Sequence, residues 1–493
     1  MKEGKTKSLK LNFIYLMIYK VFVVIVPLII APYVSRILGV TLIGEYSYWM
    51  SLIGYFTLCA DFGLEDYGSR LIAKQRDNKE EYSKTFYEIM ICRILLGFGL
   101  LIVFFSLNFA GVFGKSNIVI FSILSLHIIA TSISPFFLFT GLERFKEITI
   151  RTFILKLLLV VFIFLCVKSK DDFINYIIIY ACVVLSGPIL MIPYLFKMVN
   201  KPSFKNLHLL VHFKKTIVFF IPILSINFYT LIDKSMIMWI TQNKAENGYF
   251  EQAYKLINVI NNALNALNLL MLSRISYLYE IKDYEEINNK TRKSFRLLFL
   301  MALPCVFGLE LVSKYFVPMF FGAEFIKSTY IIYILAPTIL LISLRNLIQS
   351  IYFIPRNKIS ISNSFIITGV IVNVLLNLVL IKYYGSIGAA LSYLISEIVI
   401  VSMMIIYCRK DIPLKLFWET SKFPLAACFF MVEVGLFIIM FVLNKFHGGT
   451  SNKINFLLIF VGCAFTYCFT ILFMKEPLAI DVLSGLKRKI KKH

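Results

Sequence analysis

Charged side chains are scarce in this chain, at 16% of 493 positions, and acidic ones are scarcer still: 28 Asp and Glu stand against 51 Lys and Arg. With 59% hydrophobic residues and a mean hydropathy of +0.79, so little charge excludes a soluble domain and describes a polytopic membrane protein. No C-x-x-C pair occurs. The nine cysteines lie in or at the ends of apolar segments as small hydrophobes, and imply neither a disulfide framework nor a metal site. Enzymatic signatures are missing too. Gly114-Lys115-Ser116 resembles the end of a phosphate-binding loop, but Phe109 stands where the first Gly belongs, and neither H-E-x-x-H nor G-x-S-x-G occurs. The expectation is therefore no enzyme and no cofactor, with any energy drawn from a gradient, the membrane potential or mass action. The net charge of +23 does not point to nucleic acid either, because the basic residues are spread over short connecting loops.

Long apolar runs dominate what is present. They fall at about 11–35, 43–65, 86–107, 117–140, 152–168, 173–197, 215–241, 249–274, 295–320, 328–353, 360–383, 387–408, 421–444 and 454–475. Each approaches the roughly 20 residues that span a bilayer as helix, so about fourteen transmembrane helices are expected. The first run contains Lys20 and lacks a small-x-small cleavage site, and is expected to be retained. Lys and Arg then orient the chain. With the amino terminus inside, 35 of them fall in inside segments, 9 in outside loops and 7 within spans, so both termini are expected in the cytoplasm.

An internal repeat is visible. Ile43-Gly-x-Tyr46 followed by Leu52-Ile53 echoes Asn247-Gly-x-Phe250 followed by Leu256-Ile257, offset by 204 residues. Arg144-x-Lys146 with Phe153-Ile154 echoes Arg356-x-Lys358 with Phe365-Ile366, offset by 212. Six spans separate the copies, which makes the repeats parallel. The expected architecture is all-α: a six-helix lobe over 1–200, a second over 201–410, and two additional helices with a basic tail over 411–493. Such a plan places a substrate path between the lobes.

The most informative stretch runs from Ser225 to Arg274. Asp233 and Lys234 sit inside its first apolar segment, preceded by Asn227. In the second, Glu251, Lys255, Asn258, Asn261, Asn262, Asn265 and Asn268 recur at spacings of three and four, on one helical face. Tyr249, Leu256, Ile257, Ile260, Leu264, Leu267 and Met271 occupy the other. Each Lys or Asp at bilayer centre costs about 2.5–3.5 kcal/mol on insertion scales, so a stripe this long must face protein or water. It reads as the wall of a hydrophilic cavity; the plainer reading is Asn side chains bonding across a packed helix pair.

Other charges lie within spans. Arg93, Glu88 and Lys156 are within about two turns of an expected cytoplasmic end, where they can snorkel or meet water. Lys20, Lys234, Lys255 and Arg345 are deeper, and Arg345 continues a stripe through Gln349, with Thr338 two turns earlier. These four cations could surround one anionic group, or Asp233, Asp61, Glu310 and Glu397 could neutralise them pairwise. Asp233, Asp61 and Glu397 are candidates for coupling to a proton or sodium ion. His127, alone in its span, is read as a packing residue.

Three stretches carry a family likeness: APYVSRILGV (31–40) with IGEYSYWMSLIGYFTLCADFGL (43–64), NFYTLIDKSMI (227–237) with NGYFEQAYKL (247–256), and YFIPRNKISISNS (352–364) with NLVLIKYYGSIGAALSYLISE (377–397). They resemble the polysaccharide repeat-unit flippases of the multidrug, oligosaccharidyl-lipid and polysaccharide exporter superfamily. The resemblance implies a V-shaped bundle in a bacterial cell membrane. It also implies movement of undecaprenyl-diphosphate-linked oligosaccharide, for O-antigen, capsule or exopolysaccharide, from the cytoplasmic to the outer leaflet by alternating access, with a polysaccharide polymerase as a further partner. A diphosphate suits Lys20, Lys234, Lys255 and Arg345. Sugar hydroxyls suit Asn227, Asn258, Asn262, Asn265 and Gln349, whose amides both donate and accept. The alternatives within the superfamily are a multidrug or metabolite cation antiporter and a lipid II or teichoic-acid precursor flippase.

Overall fold

Hydrocarbon offers a backbone no hydrogen-bonding partner, so each apolar run has to satisfy its own amides, and helix does so. The computed structural model describes residues 2–112, 118–201, 207–443 and 452–480, and among them no strand occurs. The helices are α1 (Lys2–Asp61), α2 (Leu64–Gln75), α3 (Lys79–Phe109), α4 (Ile118–Ser132), α5 (Phe136–Gly141), α6 (Phe145–Cys166), α7 (Phe173–Ile189), α8 (Ile192–Met198), α9 (Leu209–Thr241), α10 (Lys244–Glu280), α11 (Tyr284–Phe320), α12 (Lys327–Ile348), α13 (Ile359–Tyr384), α14 (Ser386–Cys408), α15 (Leu414–Phe437) and α16 (Asn452–Phe473). Eleven described segments are long and apolar enough to cross a membrane. The chain is an all-α polytopic membrane protein. All fourteen expected runs fall on helices, the first two sharing α1, the seventh on α9 and the eighth on α10.

Turn chemistry sets the breaks. Within α1, Gly39 adopts φ 72°, ψ 177°, a region that only glycine enters cheaply, and the resulting kink separates the first two runs. Asn78 caps α3 by accepting from the amides of Glu80 and Glu81 at 3.2 and 3.3 Å. Asn243 caps α10 through Ala245 N at 3.0 Å, and Asp283 caps α11 through Glu286 N at 3.1 Å.

The chain divides into two compact units, Met1–Ser235 and Met236–His493, so the division falls inside α9. In the first unit α1 packs on α4 and α6, α3 on α2 and α4, and α4 on α7. A core of Leu64, Phe86, Phe137, Phe139 and Ile148 joins α2, α3, α5 and α6. Helices approach closely where side chains are small: a Cβ on Gly97 of α3 would lie 1.8 Å from Ser132 Oγ of α4. In the second unit α12 packs against α10, α11 and α14, and runs into a π-helical turn over Gln349–Phe353. Helices α13 and α14 form a hairpin turning at Gly385, φ 58°, while α15 and α16 pack on α11 and on each other.

Candidate functional site

At 37 residues α10 is about 55 Å long, well beyond the roughly 30 Å hydrocarbon core. Its polar stripe takes the expected face: Asn258 and Asn262, one turn apart, are exposed, whereas Leu256, Ile257 and Leu264 are buried. The stripe is not uniform. Asn261 is buried, and Asn265 accepts a hydrogen bond from Asn346 Nδ2 of α12 at 2.8 Å. One turn before Asn258, Lys255 Nζ lies 3.6 Å from Glu251 Oε1, on the same helix. Along this one helix Asn258 and Asn262 are thus exposed, while Asn265 is paired with α12.

Arg345 of α12 reaches Glu397 of α14, with 3.3 Å between Nη1 and Oε1 and no exposure of the carboxylate. Thr338, Arg345 and Gln349 of the expected stripe lie along α12 and its end. Thr338 is fully buried, and the π-helical turn that begins at Gln349 sends its amide to Ser362 Oγ of α13 at 2.9 Å. A π-turn in a membrane helix is often a mark of function because it re-aims side chains. Sequence reasoning passed over Asn373 and Asn377, both fully buried on α13, with Asn377 Nδ2 donating to Asn373 Oδ1 at 3.1 Å. Their spacing of four within an apolar run was the available signal.

In the first unit, Asp61 lies 3.0 Å from Arg93 Nη2, which also approaches Glu65 at 3.7 Å and donates to Thr131 O at 2.9 Å. Asp233 is fully buried and Lys234 partly so. Beside them Ser235 Oγ meets Ser51 Oγ at 2.9 Å and accepts from Tyr55 at 3.1 Å. His127 is buried, as a packing residue would be. Lys20, Asn227 and Asn268 lie outside the described side chains.

A second polar cluster had no sequence signal beyond single residues. Glu88 accepts from the His208 amide at 3.0 Å and meets His212 Nε2 at 2.8 Å, while His212 Nδ1 meets Tyr67 OH at 3.0 Å. Elsewhere on α3, Tyr82 donates to Met198 O at 2.8 Å and Tyr87 to Asn200 O at 3.0 Å, and Ser83 accepts from Asn200 N at 3.0 Å. Helix α3 therefore bonds both to the residues at the end of α8 and to those at the start of α9.

On the apolar face of α10, opposite the amides, lies an apolar cavity of about 390 Å³, lined by Leu256 and Ile260 of α10, Pro304 and Phe316 of α11, Met431 of α15 and Tyr467 of α16. Chemically, these parts of the second unit offer amides, the ion pairs Lys255–Glu251 and Arg345–Glu397, and an apolar recess. The family model described as "Polysaccharide biosynthesis protein" matches residues 9–272, more than half of the chain. The chain belongs to that polysaccharide biosynthesis family. This family member is 24% identical over 387 residues to the "Putative O-antigen transporter" of Shigella dysenteriae, an alignment covering 77% of this chain and 94% of that protein. Among solved structures it is similar to the lipid II flippase MurJ in an inward closed conformation, with a TM-score of 0.73 at 16% identity, covering 95% of this chain and 99% of the other. It is also similar to an inward-facing multidrug resistance MATE family transporter, with a TM-score of 0.60 at 14% identity, covering 81% and 99%. At such identities the two structures speak to the fold of this family member alone.

Proposed function

We propose that this chain flips undecaprenyl-diphosphate-linked oligosaccharide repeat units from the cytoplasmic to the outer leaflet of a bacterial cell membrane by alternating access, for surface polysaccharide synthesis. Both termini face the cytoplasm in this reading, which rests on the distribution of Lys and Arg. One observation carries it: within a membrane helix of a polysaccharide biosynthesis protein, Asn258 and Asn262 are exposed on one face. Open amides suit sugar hydroxyls, and hydrocarbon would not tolerate them.

Lys234, Lys255 and Arg345 supply the cations for the diphosphate, joined by Lys20; Asn227, Asn265 and Gln349 extend the amide set. Asp233, Asp61 and Glu397 are the acids through which a proton or sodium ion would couple. The apolar cavity beside α10 has the chemistry of a prenyl chain and so supports a lipid-linked substrate over a water-soluble one. A polysaccharide polymerase would take the flipped unit.

Complementation tests the reading. In a strain that lacks its own flippase, the wild-type chain should restore surface glycan, while Lys234→Ala and Lys255→Ala should remain in the membrane and fail to restore it. Normal surface glycan with both variants would remove the cationic site.

A further inference from the structure

The charge on Glu397 depends on one side chain. Its carboxylate is fully buried near the middle of α14, accepts no hydrogen bond, and among the described residues has the Arg345 guanidinium as its sole polar partner. The hydroxyls nearest in sequence are committed elsewhere: Ser392 Oγ donates to Gly388 O at 3.0 Å and Ser396 Oγ to Ser392 O at 2.7 Å. Among the described residues, charges on the helices packed against α14 are engaged or remote. On α10, Lys255 faces Glu251, and Glu246 is held by Lys327 of α12 at 2.6 Å and by Ser386 at the other end of α14. Lys382 sits in the last turn of α13, whose buried polar residues Asn373 and Asn377 do not titrate. Exposure within the pair is asymmetric: the Arg345 side chain keeps 10% and Glu397 none. An arriving anion can therefore meet the guanidinium but not the carboxylate.

We propose that this pair couples binding of the anionic head group to binding of a proton. The inference rests on the lipid-diphosphate reading of the substrate. A diphosphate offers a guanidinium two-pronged hydrogen bonds that the 3.3 Å contact with Glu397 does not provide. Once Arg345 turns to the diphosphate, Glu397 is a buried carboxylate with no counter-charge and no donor, and it takes up a proton instead of remaining charged. Release of the diphosphate returns the guanidinium to Glu397 and expels the proton. One proton thus enters the binding unit with each head group and leaves with it.

The test is calorimetric titration of the purified full-length protein with undecaprenyl diphosphate in detergent micelles, in buffers of different ionisation heat, with inorganic pyrophosphate in parallel. Wild type should take up about one more proton per bound probe than Glu397→Gln, which serves as the reference for protons exchanged by the probe itself. Uptake with pyrophosphate as well would mean that the diphosphate suffices; uptake with the lipid alone would mean that the prenyl chain is needed to seat it; either upholds the coupling. Binding to wild type with no such excess overturns the coupling and spares the substrate reading, whereas failure of wild type to bind either probe overturns both. Should Glu397→Gln not fold, the pH dependence of wild-type affinity decides. Coupled uptake weakens binding by up to tenfold per pH unit as pH rises. An uncoupled cationic site would gain affinity as the probe becomes more anionic, so constant or rising affinity overturns the proposal.

Discussion

Arg345 Nη1 lies 3.3 Å from the carboxylate of Glu397, and neither residue is more than a tenth exposed. Breaking a buried pair by removing one partner is costly, typically about 3–5 kcal/mol, because the other group is left buried without a counter-charge and must stay charged or be neutralised by a proton, whereas removing both charges is close to neutral. Arg345→Gln should therefore lower the unfolding temperature of the purified protein strongly, and Arg345→Gln with Glu397→Gln should recover most of the loss. Equal unfolding temperatures for the single and double variants would show that the two charges do not support each other.

The two faces of α10 should differ in access. In a background without native cysteines, Asn258→Cys and Asn262→Cys should react with a membrane-impermeant thiol reagent, and Ile257→Cys and Leu264→Cys should not. Labelling only at the Asn positions would establish water along that face and justify testing lipid-linked sugar as a protectant. Silence at all four would place the substrate path elsewhere.

Anchoring of α9 can be read by hydrogen exchange. Glu88→Ala removes the acceptor of the His208 amide and the partner of the His212 ring, a loss of about 1–3 kcal/mol for buried groups left unmade. Amides around 208–213 should then exchange about tenfold faster or more. An unchanged exchange pattern would mean that other contacts hold the start of α9.

Two glycines separate space from propensity. A Cβ on Gly388 would lie 2.1 Å from Leu380 O, a backbone atom of the α13–α14 hairpin, whereas a Cβ on Gly308 of α11 meets nothing within 4 Å. Gly388→Ala should cost more than about 2 kcal/mol because the hairpin must open. Gly308→Ala should be neutral or stabilising by up to about 1 kcal/mol, since alanine is the better helix former. Thermal unfolding of the two variants side by side checks the contrast.

The helices and the faces of α10 were legible because apolar run length and a three-to-four spacing are local properties of the chain. Partnership is not local. Nothing within α12 announces that Arg345 meets a residue 52 positions later, or that Asn346 rather than Arg345 reaches Asn265. The π-helical turn over Gln349–Phe353 was not legible either, because a face extrapolated at 3.6 residues per turn does not hold beyond Gln349. The cluster of Tyr67, Glu88 and His212 joins three separate helices, and only folding brings it together.

The bonds that α3 makes to Met198, Asn200, His208 and His212 also bear on how the chain can be divided. A cut made between α8 and α9, where the repeat suggests a seam, would split Glu88 from His208 and His212 and Cys92 from Leu209, leaving the first fragment with polar groups stripped of partners. The two-residue turn at Gln242 and Asn243 follows α9 and crosses none of those bonds. For split-reporter or co-expression work, the first piece accordingly ends with α9, and the second begins at α10 with its own Asn243 cap.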